Sequence, residues 1–252
     1  MQALERVLAP HNKTRSGVYR YPTDSLNQDD QSHRNLQNIP GAGSVKESSS
    51  YSTAREWDLE AGIEQGEHTL DDYLSLPDDQ RVELIDGVFY KMNAPSTSHQ
   101  LIAGNVYAAF LAYTKRKKGP CLPFISPVDV QLDCDDRTIV QPDVLILCDR
   151  SKLVYPRIFG APDFVLEILS KSTRSKDMYL KLVKYKGAGV REYWMADPQK
   201  KRIVTYDLET DDAIHLYSFR DKVSVQIWGG ECQVDFAPID DLLTELGLEE
   251  PK

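Results

Sequence analysis

The sequence predicts an α/β or α+β fold in which a mixed central β-sheet is flanked by helices. Segments with helical and with strand periodicity alternate from residue 69 to residue 246. Two strand segments, Val144 to Cys148 and Phe164 to Leu169, are apolar almost throughout, which is typical of strands buried on both faces. With 252 residues, 41% of them hydrophobic, the chain can form one such domain and an extension.

The extension is expected at the N-terminus. Residues 1–67 are rich in Ser, Asn, Gln, Gly and charged residues, and they show no sustained period of 3.6 or 2. Such a segment buries too little apolar surface to offset the entropy that it loses on ordering. We therefore predict a mostly disordered leader over residues 1–67 and a folded domain over residues 68–252.

The first elements of the domain carry local signals. Thr69 can cap a short helix with acidic residues in its first turn, and Pro77 ends that helix. Two short strands then flank Asp86-Gly87, a dipeptide typical of tight hairpin turns. A hairpin is therefore expected directly after the first helix.

A long helix follows the hairpin. Ser96 or Thr97 can cap it, and apolar residues recur at helical spacing as far as Tyr113. Basic residues from Lys115 and then Gly119 are typical of a helix C-terminus. The later elements are predicted as strands at about 123–132, 138–147 and 163–169, a helix at about 173–188, a strand at 192–196, strand pairs within 201–236 and a helix near 239–246.

The composition limits the cellular compartments and the cofactors that can be expected for this protein. No apolar run approaches the roughly 18 residues that span a bilayer, and residues 1–10 lack the apolar core of a signal peptide. Four cysteines lie far apart without a CxxC pair, which disfavours structural zinc and favours reduced thiols; they are Cys121, Cys134, Cys148 and Cys232. We expect a cytoplasmic protein with no membrane partner.

Glu167 is the most informative residue of the sequence. It interrupts an apolar strand, where a solitary carboxylate is costly to bury without a partner or a metal. A pair with an arginine is the alternative interpretation. Asp143 begins another apolar strand, and side chains on neighbouring strands can lie about 5 Å apart. Two carboxylates that close repel each other unless a cation lies between them, and their oxygen atoms suit Mg²⁺.

Asp163 competes with Asp143 for this role. It lies on the strand of Glu167, four residues away, which corresponds to roughly 13 Å at about 3.3 Å per residue. One metal ion cannot bridge that gap. We therefore assign the pair to Asp143 and Glu167, and we expect Asp163 to orient the strand entry or to cap a turn.

The helix after Glu167 supplies cations. Asp177, Lys181 and Tyr185 share a face at i, i+4 and i+8, with Lys184 on an adjoining face. An Asp–Lys pair at this spacing is usually a surface ion pair. Because the helix leaves the strand of Glu167, Lys181 can instead stabilise charge on a phosphate or orient the attacking water.

These residues belong to a longer pattern that covers most of residues 69–210. Its parts, in order, are Glu83 to Gly87, Pro95 to His99, Pro142-Asp143-Val144, Glu167 to Ser170, Ser172-Thr173, Asp177, Lys181, Tyr185, Gly189-Val190 and Glu192-Tyr193-Trp194. In this order and spacing they resemble the Uma2 family of the PD-(D/E)XK, restriction-endonuclease-like nucleases. The resemblance implies a restriction-endonuclease-like core.

The resemblance also implies residue roles. Asp143 and Glu167 would hold the metal, with the Ile168 carbonyl as a third oxygen ligand. Glu83 resembles an acidic residue that many members of the superfamily place on an early element near the metal. His99 would hold a water or contact a phosphate, the alternative being a solvent-exposed histidine at a helix start.

The chain departs from the superfamily pattern at one position. The usual lysine stands two residues after the strand glutamate, and this chain has Leu169 there. A leucine cannot stabilise charge or activate water. The resemblance implies that the family places this lysine on the following helix, where Lys181 matches, and Lys171 is the second candidate.

The predicted function is that of a Mg²⁺-dependent endonuclease, with Mn²⁺ as a substitute, that hydrolyses the phosphodiester bonds of nucleic acid, with DNA as the expected substrate. The net charge of −9 does not favour nucleic acid, but the stretch from Lys171 to Arg202 holds ten Lys or Arg residues against three acids. The residues expected to contact the phosphate backbone are Lys171, Arg174, Lys176 and Lys184.

Two other functions use the same residues. The fold can serve as a nucleic-acid-binding or assembly module with a weak or silent site, because a fold does not fix function. A hydrolase of small phosphoesters is the second alternative, and it would need a closed pocket where a duplex needs an open channel. A homodimer would be the natural way to cut both strands, but the sequence leaves the oligomeric state open.

Overall fold

The computed structural model describes residues 66–77, 80–171, 174, 176–210 and 213–249. The predicted leader lies almost wholly outside these residues, as do Ser172 and Thr173 of the sequence pattern. The α-helices are α1 (Leu70–Ser75), α2 (Thr97–Lys117), α3 (Leu182–Ala188) and α4 (Ala237–Glu245). A π-helix, Lys176–Lys181, runs directly into α3.

The strands are short. They are β1 (Val82–Ile85), β2 (Val88–Lys91), β3 (Leu122–Ile125), β4 (Val130–Gln131), β5 (Ile139–Val140), β6 (Val144–Leu147), β7 (Leu153–Val154), β8 (Arg157–Phe159), β9 (Phe164–Ile168), β10 (Glu192–Asp197), β11 (Arg202–Asp207), β12 (Ala213–Ser218), β13 (Lys222–Val225) and β14 (Cys232–Asp235). Short 3₁₀ turns lie at Arg150–Lys152 and Gln226–Trp228.

The central sheet has the order β12-β11-β10-β9-β6-β3. Its β9 and β10 strands are parallel, and its other neighbours are antiparallel. A second sheet has the order β2-β1-β5-β4-β8-β7, and β13 pairs with β14. The predicted mixed sheet with flanking helices is confirmed.

The central sheet is buried on both faces because its middle strands are apolar on both. On one face, Phe110 of α2 packs edge-on against Phe164, which in turn packs against Trp194. On the other face, Tyr185 of α3 packs against Tyr193. The adjacent strand residues Tyr193 and Trp194 are fully buried, so each contributes to a different core.

Local predictions at the start of the domain are confirmed. Thr69 and Asp72 form a reciprocal capping box for α1, and Leu76, before the proline, is its C-cap. Asp86 and Gly87 form the hairpin turn, both with positive φ. Ser96 caps α2, whose C-cap is the left-handed Lys118 rather than Gly119.

Two predicted strands are wrong in their length. The segment predicted at 123–132 is divided into β3 and β4, and the segment at 138–147 is divided into β5 and β6. Pro127 and Pro142 lie in the two interruptions. Proline has no N–H to donate to a neighbouring strand, so each ladder ends there and the chain passes from one sheet to the other.

The expectation of reduced thiols is wrong for two of the four cysteines. Cys121 and Cys148 form a disulfide. They directly flank β3 and β6, whose antiparallel register pairs Leu122 with Leu147 and so brings the two cysteines together. Cys134 and Cys232 are free. In the part of the chain that the structure describes, no helix is both long enough and apolar enough to cross a membrane.

Candidate active site

Asp143 and Glu167 meet at one end of two neighbouring strands. The antiparallel register of β6 and β9 pairs Val144 with Leu166, so the next opposing positions are Asp143 and Glu167. The Ile168 amide donates a hydrogen bond of 2.7 Å to Asp143 Oδ2. His99 Nε2 lies 3.0 Å from the same oxygen. The structure therefore brings His99, Asp143, Glu167 and Ile168 together.

Lys181 lies between two buried carboxylates. Its Nζ is 2.7 Å from Glu83 Oε1 and 2.8 Å from Glu167 Oε1. Asp177 Oδ1 is farther, at 3.7 Å. The side chains of Glu83, Glu167, Asp177 and Lys181 are all at most 5% exposed. Lys181 on the helix therefore reaches the strand carboxylate, whereas Leu169 is buried in the apolar core.

The π-helix explains how two lysines reach Glu83. Lys176 Nζ lies 2.5 Å from Glu83 Oε2, and Lys181 binds the other oxygen. In an α-helix, residues five apart are about 140° out of phase at 3.6 residues per turn. A π-helix, with i to i+5 bonding, returns residues five apart to nearly the same side. The wide turn thus places both ammonium groups on one carboxylate.

Sequence reasoning missed two donors that fix the carboxylates. The hydroxyl of Tyr185, which is fully buried, donates to Glu167 Oε1 at 2.5 Å. The Gln141 backbone N–H donates to Glu83 Oε1 at 2.9 Å. The shared helical face of Lys181 and Tyr185 was the available signal for the first donor. Nothing local marked the second, because it depends on β1 pairing with β5.

The two glutamates have opposite electrostatic environments. Burial raises the pKa of Glu167, and the nearby Asp143, Asp177 and Glu83 carboxylates raise it further, to about 8, against the lowering effect of Lys181. Burial also acts to raise the pKa of Glu83, but Lys181 and Lys176 outweigh it and lower that pKa to about 2. Burial acts to lower the pKa of Lys181, but Glu167, Glu83 and Asp177 hold it well above its usual value. Lys181 is therefore a permanent cation.

The predicted phosphate contacts lie in different environments. Lys171 is exposed. Arg174 binds Asp197 through both terminal nitrogens, Lys176 binds Glu83, and Lys184 binds Asp133 and Asp86. Lys176 Nζ also lies 5.5 Å from the centre of the Tyr90 ring.

Asp163 lies at the opposite end of β9 from Glu167. It accepts a hydrogen bond of 2.7 Å from the Cys148 amide and lies 3.4 Å from Arg191. Its backbone carbonyl also accepts the Arg191 and Glu192 amides. Asp163 thus orients the entry to its strand, as expected.

The charges of the cluster suit a divalent cation. Four carboxylates, from Glu83, Asp143, Glu167 and Asp177, face two ammonium groups, from Lys176 and Lys181. Asp143 Oδ1 and Glu167 Oε2 accept no hydrogen bond from the residues that the structure describes. Within those same residues, no three His, Cys, Asp or Glu side chains are grouped closely enough to hold a metal ion by themselves. A cation here would therefore need backbone or solvent oxygens beside the carboxylate pair.

Comparison with known proteins identifies the family and the fold. A crystal structure from Anabaena variabilis ATCC 29413, described as a "putative nuclease belonging to DUF820", superposes with a TM-score of 0.58 at 18% sequence identity. The alignment covers 69% of this chain and 98% of that one, which shows a shared fold. No curated protein matches the chain. The family model Uma2, described as "Putative restriction endonuclease", matches residues 70–227, which include every residue of the cluster. The chain belongs to the Uma2 family.

Proposed function

We propose that the protein is a Mg²⁺-dependent endonuclease that hydrolyses phosphodiester bonds of DNA. The single observation that carries the proposal is the Lys181 ammonium group held between buried Glu83 and Glu167, with Asp143 on the adjoining strand. Metal-binding carboxylates and a neighbouring cation are the groups that metal-assisted hydrolysis of a phosphodiester uses. The family match and the shared fold support the same class of reaction.

Each residue of the cluster has a distinct part in the proposal. Asp143, Glu167 and the Ile168 carbonyl would hold the cation. A bound Mg²⁺ would supply Lewis acidity toward the phosphate and make water a better nucleophile. Lys181 offsets negative charge that develops on the phosphate. Glu83 keeps Lys181 in place, since it is fully buried and binds the ammonium at 2.7 Å.

His99 completes the arrangement at the first turn of α2. Its Nε2 orients Asp143 through the 3.0 Å contact. The same turn of α2 borders an open groove lined by Pro95, Ser96, Thr97, Gln100, Leu101 and Leu248.

The test is cleavage of plasmid and oligonucleotide DNA by the purified protein with and without Mg²⁺. We expect Asp143→Asn and Glu167→Gln each to reduce the rate by about 10²–10³-fold or more, and EDTA to abolish cleavage. Glu192→Gln is the matched control, because Glu192 is a buried carboxylate on the neighbouring strand β10. Its rate is expected to stay close to that of the wild type.

The outcomes separate the alternatives. Equal cleavage by all four proteins would mean contamination and would overturn the assignment. Binding of DNA without cleavage by the wild type would support the binding module instead. Hydrolysis of a small aryl phosphodiester with no cleavage of either DNA would support the small-phosphoester hydrolase. Calorimetric titration with Mn²⁺ gives a readout apart from activity, since Asp143→Asn should weaken binding and Glu192→Gln should not.

A further inference from the structure

Most of the cations in the basic stretch from Lys171 to Arg202 are paired within the fold. Six of its ten Lys and Arg side chains form ion pairs with carboxylates of the chain. They are Arg174, Lys176, Lys181, Lys184, Arg191 and Lys201. Three others, Lys171, Lys200 and Arg202, are exposed and form no ion pair with the residues that the structure describes. The charge of these three side chains is therefore available to a partner.

The three exposed cations lie at the end of the central sheet that carries the candidate active site. Lys171 follows the end of β9, the strand of Glu167. Lys200 lies in the turn that joins β10 to β11, and Arg202 is the first residue of β11. Because β10 runs parallel to β9, the turn after β10 lies at the same end of the sheet as the end of β9. We call Lys171, Lys200 and Arg202 the flanking cations.

Arg202 lies on the same face of the sheet as Glu167. The register places Glu167, Met195 and Val204 opposite one another on β9, β10 and β11, so their side chains share a face. Arg202 precedes Val204 by two positions, and side chains alternate along a strand with a period of two. The strands β9 and β11 are two spacings apart, which is about 10 Å at about 4.8 Å per spacing. This distance corresponds to about three nucleotides of DNA, which rises by about 3.4 Å per nucleotide.

The turn between β10 and β11 is fixed by ion pairs and a hydrogen bond. Asp197 accepts the Lys200 N–H at 3.1 Å, and Arg174 binds the same carboxylate through both terminal nitrogens. Lys201 Nζ binds Asp240 Oδ1 at 2.7 Å. These contacts occupy the neighbouring carboxylates and hold the backbone from which the two flanking cations of the turn extend. Binding to a surface that is already ordered costs less entropy than binding to a loop that must first be ordered.

The flanking cations suit a polyanion that follows the end of the sheet. Lys and Arg side chains make many of the contacts between proteins and nucleic-acid phosphates. The whole chain has a net charge of −9, so a local positive surface beside the carboxylate cluster would direct a polyanion to this place. An acidic protein surface would also match the charge, but only a nucleic acid places a phosphodiester bond at Glu167 at the same time.

We propose that the flanking cations bind phosphates of the substrate on one side of the scissile bond, with Arg202 about three nucleotides from it. The proposal rests on the proposed nuclease function, because it takes the scissile phosphate to lie at Asp143 and Glu167. These contacts position the nucleic acid without reading its bases. Arg174 acts through the turn and not on the substrate, since its guanidinium group is bound to Asp197.

The first test is the salt dependence of DNA binding, measured by fluorescence anisotropy of a labelled duplex in EDTA from about 50 to 200 mM KCl. We expect Lys200→Gln and Arg202→Gln each to weaken binding and to reduce the slope of log K against log salt by about 1. Lys115→Gln is the matched control, because Lys115 is also exposed and lies about 24 Å from His99 along α2. Its affinity and slope should equal those of the wild type.

The slopes decide between nucleic acid and another anion. If Lys200→Gln and Arg202→Gln bind DNA with the slope of the wild type, the flanking cations serve a different partner and the proposal is overturned. An equal reduction in Lys115→Gln would also overturn it, because the contacts would then be spread over the whole surface.

The second test is cleavage in Mg²⁺ of duplexes that end at decreasing distances from the mapped cut. On a long duplex we expect Arg202→Gln to raise KM and to leave kcat unchanged, as for a contact made equally before and during the reaction. The wild type should show the same rise in KM once fewer than about three nucleotides remain on one side of the cut. Equal KM values for the variant and the wild type on every duplex would overturn the proposal.

The two tests separate this proposal from the proposed function. A wild type that cuts no DNA, but whose binding slope falls in Lys200→Gln and Arg202→Gln, would refute the nuclease function and support the phosphate-binding surface. A wild type that cuts DNA with the same KM as Arg202→Gln would support the nuclease function and refute this surface.

Discussion

Two buried glutamates on adjacent strands show what distinguishes a structural carboxylate from a candidate reactive one. Glu167 of β9 and Glu192 of β10 face opposite sides of the central sheet, and both are at most 4% exposed. Glu192 accepts three neutral N–H groups, from the Trp194 indole and from the Gln226 and Ile227 amides, at 2.7–3.0 Å. Glu167 instead has an ammonium group, a phenol and three neighbouring carboxylates.

The pKa does not separate the two glutamates. Burial raises the pKa of Glu192 to about 7 against the effect of its three N–H donors, and that of Glu167 is about 8. The two glutamates differ instead in the groups that surround their carboxyl oxygens. Backbone and indole N–H groups at fixed positions hold Glu192 as a link between β10 and the turn before β14. The excess of carboxylates around Glu167 leaves charge that a proton or an added cation can balance.

Among the changes that test this comparison, Lys181→Met is expected to have the largest effect on stability. The substitution leaves buried Glu83 and Glu167 without their shared ammonium, which costs about 3–5 kcal/mol in the free energy of unfolding. Lys201→Met is the matched control, since Lys201 also bridges two carboxylates, Asp240 and Glu249, at a more exposed site. There we expect a loss of about 1 kcal/mol or less. Urea unfolding measures the loss in the free energy of unfolding for both variants. Equal losses would show that the buried cluster stabilises the fold no more than the exposed ion pairs of Lys201.

A smaller effect on stability is expected when a change of pH titrates Glu192. Burial raises its pKa from the ordinary 4.5 to about 7 in the folded protein. The protonated form is thus favoured by folding, and this stabilisation is complete below about 4.5 and lost as the pH rises through about 7. At about 1.4 kcal/mol per pKa unit, the loss is at most about 3.5 kcal/mol.

Glu192→Gln supplies the reference for this measurement because it cannot titrate. The difference in the free energy of unfolding between wild type and Glu192→Gln should shift in favour of the variant between pH 4.5 and 7. Denaturant titrations at several pH values follow it. A constant difference would show that the three N–H donors keep the carboxylate ionised at all these pH values.

The smallest effect is expected from Tyr185→Phe, which removes one donor to Glu167. Leaving this buried acceptor without its donor costs about 1–3 kcal/mol, and the less well oriented Glu167 should also lower the rate of DNA cleavage. Tyr193→Phe is the same change on the neighbouring tyrosine, whose hydroxyl donates to the Asp177 carbonyl at 3.0 Å. It should reduce stability by about 0.5–1.5 kcal/mol and leave cleavage unchanged. Similar cleavage by both variants would argue against a role for Tyr185 in orienting Glu167.

The sequence could predict those parts of the site that depend on local patterns. Two apolar strands, each with one carboxylate, sufficed to predict that Asp143 and Glu167 lie together. Helical spacing placed Lys181 and Tyr185 on one face. The hairpin turn at Asp86 and Gly87 and the cap at Thr69 follow from short-range stereochemistry, so they could be located to the residue.

The parts that could not be predicted depend on contacts distant in the chain. Glu83 binds Lys176 across 93 positions, and only the docking of β1 against the π-helix brings them together. The same docking withdraws Lys176 toward a buried carboxylate, although its sequence context suggested a phosphate contact. The disulfide of Cys121 and Cys148 likewise follows from the register of β3 and β6, which no local pattern specifies.

The π-helix has a consequence for how this protein can change. At its present length, the segment from Lys176 to Lys181 keeps both lysines on one side only because it is wound as a π-helix. An α-helix of the same residues would place the two lysines about 140° apart around its axis. A change that restored α-helical winding at this length would therefore withdraw one ammonium group from Glu83. In the Uma2 chain described here, the spacing between the two lysines is as much a part of the site as the lysines themselves.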